Sequence, residues 1–294
     1  MLWLIYGGHG WIGTMVKAHL VSIGETVVDA TARADDEVAV EAEIRLIKPL
    51  RIMSFVGRTH GPGYSTIDYL EQKGKLVENV RDNLFAPLVL AILGLKYGIH
   101  VTYLGTGCIF TNPEDGHPTK FAEADRPNFF GSGYSTVKGF TDRLMGFYAK
   151  KVLNVRIRMP IVGHHHPRNF ITKIVNYEKI CSIPNSMTVL DDMVPILTRL
   201  AKEGLTGTLN LTNPGVISHN EILKLYKKYV DPTLVWKNFS QAEQRKVLLS
   251  DRSNNHLDTT LLQSLVPDVP DIHTSVERLF QQWGAAAAAA AADK

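Results

Sequence analysis

The 294-residue sequence is poor in cysteine and has little excess charge of either sign. Two cysteines cannot build the disulfide network of a small secreted domain, so we expect free thiols in a reducing, cytoplasmic compartment. Lysine and arginine number 32 against 29 acidic residues, a balance that argues against nucleic-acid and membrane-surface binding. No apolar run approaches the ~18 residues of a membrane span, and no charged segment of a signal peptide precedes the first apolar stretch.

What the chain does contain is a regular alternation of short apolar runs with longer helical patterns. The predicted strands are 2–6, 26–29, 51–56, 100–104 and 155–159, and the predicted helices between them are 11–23, 37–47, 75–97 and 133–151. Strands joined by helical crossovers predict an α/β fold with a Rossmann-type, doubly wound parallel sheet.

The regular alternation of predicted strands and helices ends after about residue 160, where the predicted loops lengthen and prolines become frequent. We therefore predict a dinucleotide-binding Rossmann domain over residues 1–160. A small C-terminal substrate-binding lobe is predicted mainly over 161–283, with some segments returning to the Rossmann core. Residues 284–294 contain eight consecutive alanines and are expected to be an appended linker or a helical extension outside the enzyme.

A glycine-rich loop directly follows the first predicted strand and opens the first helix. Gly7, Gly10 and Gly13 form the pattern G-x-x-G-x-x-G, with Trp11 and Ile12 between the last two glycines. Glycines at such positions allow a tight turn, a close approach of backbone N–H groups to a pyrophosphate, and close helix–strand packing. The strand before and the helix after the loop therefore predict a dinucleotide-binding site.

The end of the second strand bears on the choice of dinucleotide. Asp29 is the residue type that binds the ribose 2′-hydroxyl of NAD, whereas Arg33 suits the 2′-phosphate of NADP. Because Arg33 lies further into the loop, where it can reach the adenosine, we predict NADPH. NADH is the alternative, with Arg33 as an ordinary solvated charge.

A second pattern, Y-x-x-x-K, places Tyr134 and Lys138 on one face of a predicted helix. A lysine ammonium beside a phenol makes the tyrosine a usable proton donor. Thr106 follows the fourth strand, where its hydroxyl can bind the same carbonyl oxygen as Tyr134. These three residues predict catalysis at a carbonyl group.

Strand, glycine loop, threonine and Y-x-x-x-K in this order resemble the extended short-chain dehydrogenase/reductase superfamily over nearly all of residues 1–283. Sugar-nucleotide 4,6-dehydratases of that superfamily carry Asp-Glu after the threonine, whereas Gly107 and Cys108 follow Thr106 here. The Thr-x-Cys arrangement is similar to GDP-fucose synthase, whose cysteine acts as the base in epimerisation. The alternative for Cys108 is a buried core cysteine.

Several further segments resemble the bifunctional UDP-4-keto-6-deoxy-glucose 3,5-epimerase/4-reductases, which complete UDP-rhamnose synthesis in plants and some large viruses. These segments are 158–160, 167–173, 183–188, 212–216, 218–223 and 252–255. The resemblance implies UDP-4-keto-6-deoxy-glucose as substrate, NADPH as hydride donor, and Lys173 as the acid–base partner of Cys108. It also implies a homodimer formed through the Y-x-x-x-K helix and the long helix before it. A surface position is the alternative for Lys173.

Four other polar residues are candidate substrate contacts. Arg252 resembles the family's diphosphate-binding arginine, and Arg58 lies in a loop expected to cover the nicotinamide or the sugar. Asn169 and Asn185 are expected either to bind substrate or to stabilise turns. The three histidines at 164–166 lack the spacing of a metal site, so no metal is expected.

Two other functions stay open from the sequence. A monofunctional 4-keto-sugar reductase would need no base at Cys108. A non-catalytic, cofactor-binding regulatory protein is disfavoured because Thr106, Tyr134 and Lys138 are all present.

Overall fold

The computed structural model describes residues 1–112 and 119–292. Its central sheet has six parallel strands: β1 (Leu2–Tyr6), β2 (Thr26–Asp29), β3 (Arg51–Ser54), β4 (His100–Thr106), β6 (Val152–Ile157) and β10 (Gly207–Asn210). Three two-stranded ribbons pair β5 (Lys120–Phe121) with β12 (His256–Leu257), β7 (Pro160–Ile161) with β9 (Thr188–Val189), and β8 (Lys179–Ile180) with β11 (Lys237–Asn238).

The helices are α1 (Trp11–Ser22), α2 (Glu37–Ile47), α3 (Leu76–Val80), α4 (Ala86–Tyr97), α5 (Gly133–Met145), α6 (Phe170–Ile174), α7 (Leu190–Glu203), α8 (His219–Tyr229), α9 (Gln241–Arg245), α10 (Thr260–Leu265) and α11 (Ile272–Ala292). Short 3₁₀ turns cover Ile67–Glu71 and Gly146–Tyr148, and a π-helical turn covers Arg81–Phe85. No helix in the described ranges is long and apolar enough to cross a membrane.

The order of strands across the sheet is β10-β6-β4-β3-β1-β2. From β1 the chain crosses to β2 on one side and then returns to β3 on the other, so the direction of winding reverses between β1 and β3. Ligands of open α/β sheets bind beyond the carboxyl ends of the strands at such a reversal. The doubly wound parallel sheet predicted from the sequence is confirmed.

Three apolar cores hold these layers together. One face of the sheet is covered by α1, α7 and α10, and the other by α2, α4 and α5. A separate core joins α6, α8 and α11 with β7, β8 and β9 to form the lobe beside the sheet. Strand β1 is apolar throughout because helices cover both of its faces.

The structure differs from the sequence prediction in several boundaries. The predicted helix 75–97 is split into α3 and α4 by the π-helical turn, where Asn83 forms two 2.9 Å hydrogen bonds with the backbone of Arg58. The strand predicted at 155–159 is β6, which ends at Ile157 because Met159 has a positive φ of 39°. Strand β10 and its place at the sheet edge were not predicted, and α11 continues through the eight alanines.

Candidate active site

The glycine loop lies at the reversal between β1 and β3 and has the shape of a dinucleotide cradle. Gly7 has a φ of +77°, and a Cβ there would lie 2.9 Å from the Phe55 carbonyl carbon. A Cβ on Gly13 would lie 2.3 Å from the Gly7 carbonyl oxygen, so only glycine allows α1 to start this close to the turn. Gly10 caps α1 without a side chain, which leaves N–H groups of the first helical turn for an anion. These residues fit a dinucleotide pyrophosphate.

Trp11 and Ile12, at the start of α1, connect the glycine loop to its surroundings. Trp11 is the first residue of α1, and its indole stacks on the His166 imidazole with ring centroids 4.7 Å apart. Ile12 is half-buried behind it. His165 packs edge-on against Trp283 at 4.9 Å. The predicted cofactor loop is therefore in direct contact with the lobe, and two of the three consecutive histidines make aromatic contacts.

The loop after β2 holds both residues that bear on cofactor choice. Arg33 is largely exposed, and its guanidinium lies 2.8 Å from the Asp35 carboxylate. Asp29 is ion-paired with Lys17 of α1 at 2.7 Å. Lys17 was not selected from the sequence, because its role is visible only once α1 is packed beside β2.

Thr106 and Tyr134 meet beyond the carboxyl end of β4. Both side chains are buried, and the Thr106 hydroxyl lies close enough to the Tyr134 phenol to affect its pKa. Ser132 accepts a 3.0 Å hydrogen bond from the Ser135 N–H and so starts α5 where Tyr134 faces β4. Burial raises the pKa of Tyr134, the charge of Cys108 adds to this, and the Thr106 hydrogen bond opposes it. The phenol is therefore kept in its protonated, proton-donating form.

Lys138 lies one helical turn after Tyr134 and is completely enclosed. Its ammonium contacts the Tyr103 hydroxyl and lies 3.4 Å from the Leu104 carbonyl oxygen. Burial lowers the pKa of Lys138 to about 7, although the charges of Asp142 and Cys108 act in the opposite direction. A lysine held in this way can change its charge near neutral pH.

Cys108 stands beside the Thr106–Tyr134 pair. Its backbone N–H donates a 3.1 Å hydrogen bond to Thr106 Oγ1. It is half-buried and packs against a cluster that contains Tyr69, Leu70 and Tyr134, with Ile67 at its edge. Cys181, in contrast, is buried within the lobe. Cys108 is thus placed as a group of the site rather than of a core.

Lys173 reaches the same wall of the site from the lobe. Its ammonium donates a 3.0 Å hydrogen bond to the Ser65 carbonyl oxygen, two residues before the Ile67 that packs near Cys108. Burial lowers the pKa of Lys173, and the Arg168 charge lowers it further. The structure therefore brings Lys173 to the segment that borders Cys108, which is not the environment of a fully solvated surface lysine.

The two candidate asparagines are completely buried and bonded within the protein. Asn169 caps α6, where it accepts from the Ile171 N–H at 3.2 Å and donates to two backbone carbonyl oxygens. Asn185 accepts from Arg158 at 2.8 Å and from the Asn255 N–H at 2.9 Å. This geometry favours the structural alternative for both residues over direct contact with substrate.

The two candidate arginines each have a carboxylate partner. Arg58 Nε lies 2.6 Å from Asp82 Oδ2 in the π-helical turn, and Arg252 Nη2 lies 2.6 Å from Asp68 Oδ2. Both side chains are partly exposed. Arg58 therefore fixes the loop after β3, whereas Arg252 is held at the edge of the cleft beside the segment that borders Cys108.

Arg158 is a residue of the site that sequence reasoning missed. It is completely buried, and its guanidinium donates to the Gly107 carbonyl oxygen at 3.2 Å, to Asn185 Oδ1 at 2.8 Å and to Ser253 Oγ at 2.9 Å. Burial lowers the pKa of Arg158, and the charge of Cys108 raises it. The available signal was an arginine directly after the last residue of the buried strand β6.

A glycine loop at the sheet reversal and a buried threonine–tyrosine–lysine set beyond β4 define a Rossmann-fold dehydrogenase/reductase of the short-chain type. No protein-family model matches the chain. Among the described residues, no group of three or more His, Cys, Asp and Glu side chains is arranged to hold a metal ion.

Comparison with known proteins narrows this class. Protein L780 of Acanthamoeba polyphaga mimivirus is 60% identical over 284 residues, which are 96% of this chain and 98% of L780. The crystal structure of L780, described as a UDP-rhamnose synthase, matches with a TM-score of 0.93 and covers 96% and 99% of the two chains. A bifunctional dTDP-4-dehydrorhamnose 3,5-epimerase/reductase of Arabidopsis thaliana is 42% identical over 93% of this chain and 90% of its own length.

A dTDP-4-dehydrorhamnose reductase of Clostridium acetobutylicum shares the fold, with a TM-score of 0.79 at 16% identity over 96% of this chain and 99% of that chain. The chain belongs to the family of bifunctional nucleotide-sugar 3,5-epimerase/4-reductases. The family resemblance drawn from the sequence is confirmed.

Proposed function

We propose that the protein converts UDP-4-keto-6-deoxy-glucose to UDP-rhamnose by 3,5-epimerisation followed by NADPH-dependent reduction at C4. The observation that carries this proposal is the contact of Cys108 with the Thr106–Tyr134 pair. A carbonyl-binding pair alone serves a reductase, whereas a thiol beside that pair adds a base for the carbons next to the carbonyl. The activities named for L780 and for the Arabidopsis relative support both halves.

In the epimerisation half, the hydroxyls of Thr106 and Tyr134 hydrogen-bond the C4 carbonyl oxygen and stabilise the negative charge that develops there. Cys108 removes a proton from the carbon beside the carbonyl, because that carbon is acidified by it. Lys173 returns a proton to the opposite face of the ring. Its lowered pKa suits this role, because an ammonium of lower pKa is a stronger acid and releases its proton more readily.

In the reduction half, NADPH supplies the hydride that reaches C4. The loop from Gly7 to Gly13 holds the pyrophosphate, with Trp11 and Ile12 opening the helix whose N–H groups face it. Tyr134 gives its phenolic proton to the C4 oxygen, and Lys138 binds the nicotinamide ribose and tunes the acidity of Tyr134. Arg252, which is ion-paired with Asp68, would bind the diphosphate of the substrate.

The proposal is tested by incubating the protein with UDP-4-keto-6-deoxy-glucose and NADPH and identifying the product sugar by NMR. UDP-rhamnose is expected. A UDP-6-deoxy sugar with unchanged configuration at C3 and C5 would show a monofunctional reductase instead. Replacing the substrate by its dTDP analogue in a parallel reaction determines which nucleotide the protein prefers.

We also propose that the protein forms a homodimer through α3, α4 and α5. Val77 of α3, Phe85 of the π-helical turn and Phe140 of α5 are exposed apolar side chains on helices that pack together. Light scattering after gel filtration is expected to give twice the chain mass. The V77E/F140E double variant is expected to run as a monomer, and a wild-type monomer would contradict the proposal.

We place the protein in the cytoplasm, because both of its cysteines are free thiols. Microscopy of a tagged chain expressed in a eukaryotic cell tests this. A signal confined to a secretory compartment would contradict it.

A further inference from the structure

Lys17 and Asp29 form an ion pair that lies directly on the glycine loop. Lys17 Nζ lies 2.7 Å from Asp29 Oδ2 and 3.0 Å from Asp29 Oδ1, so it engages both carboxylate oxygens. A Cβ on Gly8 would lie 2.0 Å from Asp29 Oδ1 and 3.1 Å from Lys17 Cδ. The pair therefore crosses the second residue of the loop, and the absence of a side chain on Gly8 makes room for it.

The position of Asp29 determines what this pair does. Asp29 is the last residue of β2 and pairs with Ile5 of β1, so its carboxylate stands at the sheet edge beside the cofactor loop. A carboxylate at this point of a Rossmann fold accepts hydrogen bonds from a ribose 2′-hydroxyl and repels a 2′-phosphate. Unpaired, Asp29 would therefore favour NADH and disfavour NADPH.

Lys17 neutralises the Asp29 carboxylate and thereby weakens its preference for NADH over NADPH. Its side chain is 20% exposed and that of Asp29 is 34% exposed, so solvent screens the pair only in part. Both carboxylate oxygens are occupied by the ammonium, which leaves Asp29 a weaker acceptor for a hydroxyl and a weaker source of repulsion for a phosphate.

Arg33 is the group that gains from this neutralisation. It lies four residues after Asp29, and its side chain is 65% exposed. Its pairing with Asp35 is a surface contact of little energy, so an incoming phosphate can replace it. Lys17 and Arg33 balance Asp29 and Asp35, whereas loss of Lys17 would leave these four groups with a net negative charge.

We propose that Lys17 is a specificity-determining residue, which neutralises Asp29 and thereby lets Arg33 receive the 2′-phosphate of NADPH. The inference rests on the proposed use of NADPH. Lys17 acts through Asp29, so replacing Asp29 should undo the effect of replacing Lys17.

Isothermal titration calorimetry of the protein with NADPH and with NADH, without sugar nucleotide, tests this directly. K17M is expected to bind NADPH about tenfold more weakly and to bind NADH at least as tightly as the wild type does. In the K17M/D29N variant, NADPH affinity is expected to return to within about threefold of the wild type. K224M, an exposed lysine of α8, is the matched control and should leave both affinities unchanged.

If K17M does not fold, the D29N single variant provides a second test. It is expected to retain NADPH binding and to bind NADH more weakly than the wild type. Unchanged NADPH affinity in K17M would overturn the inference about Lys17 but not the proposed function. An equal loss of affinity for both dinucleotides in K17M, without recovery in K17M/D29N, would have the same consequence. A wild-type protein that binds NADH in preference to NADPH would overturn the proposed cofactor and the inference together, while the product analysis would still report on the epimerase.

Discussion

The backbone N–H of Cys108 donates a hydrogen bond to Thr106 Oγ1 over 3.1 Å. This bond fixes the proposed base and the carbonyl-binding hydroxyl to one turn at the end of β4. Because Thr106 Oγ1 accepts from Cys108, its own proton is free to point toward Tyr134 or a substrate oxygen. In the proposed mechanism, epimerisation and reduction therefore share one carbonyl site, and only epimerisation requires the thiol.

Loss of the Thr106 hydroxyl should impair both activities. In T106V the C4 oxygen loses one of two donors, and we expect epimerisation and reduction each to fall about 10²-fold. Rates are measured as NADPH oxidation and as solvent-deuterium exchange. T102V is the matched control on the same strand, because the buried Thr102 hydroxyl has no hydrogen-bond partner within the described residues. Equal effects of the two substitutions would contradict the role of Thr106.

Lys138 should make stability depend on pH. Burial lowers the pKa of Lys138 to about 7, whereas the unfolded chain keeps the ordinary value near 10.4. Between these values the unfolded state binds more protons, so the free energy of unfolding rises with pH. Relative to K138M, the wild type should gain up to about 4 kcal/mol from pH 7 to 10, as measured by urea denaturation. A difference that stays constant with pH would show that Lys138 remains charged.

Arg158 should contribute strongly to stability. R158M removes one of two donors to the Gly107 carbonyl oxygen, to Asn185 Oδ1 and to Ser253 Oγ, each of which keeps only a donor from Asn255. Because the lost bonds are buried and made by a charged group, we expect a loss of about 3 kcal/mol. The exposed Arg199 provides the control, since R199M should change the free energy of unfolding by less than about 0.5 kcal/mol. Similar losses for both variants would contradict this account.

Much of the fold was predictable because its signals are local. The strand β1 is apolar over its whole length, since helices cover both faces, and the glycine loop follows it without a gap. Thr106 and Cys108 are neighbours in the chain, and Tyr134 and Lys138 share a helix face. Each of these relationships involves residues that are only a few positions apart in the sequence.

The rest depends on packing between distant segments. The Lys17–Asp29 pair needs α1 to lie against β2, and the partners of Arg158 come from positions 107, 185 and 253. The buried bonds of Asn169 decide between its two predicted roles, and no local pattern distinguishes them. Such contacts are determined by tertiary structure. The secondary-structure propensities and hydrophobic periodicity of the sequence do not predict them.

In the proposed mechanism, Cys108 makes this site an epimerase as well as a reductase. The most direct measurement is NMR of deuterium incorporation at C3 and C5 when C108A and the matched control C181A act on UDP-4-keto-6-deoxy-glucose in D₂O. We expect C108A to lose deuterium incorporation at both carbons and still to reduce a substrate that is already epimerised. C181A is expected to retain both activities. Incorporation at the wild-type rate in C108A would contradict the proposed mechanism.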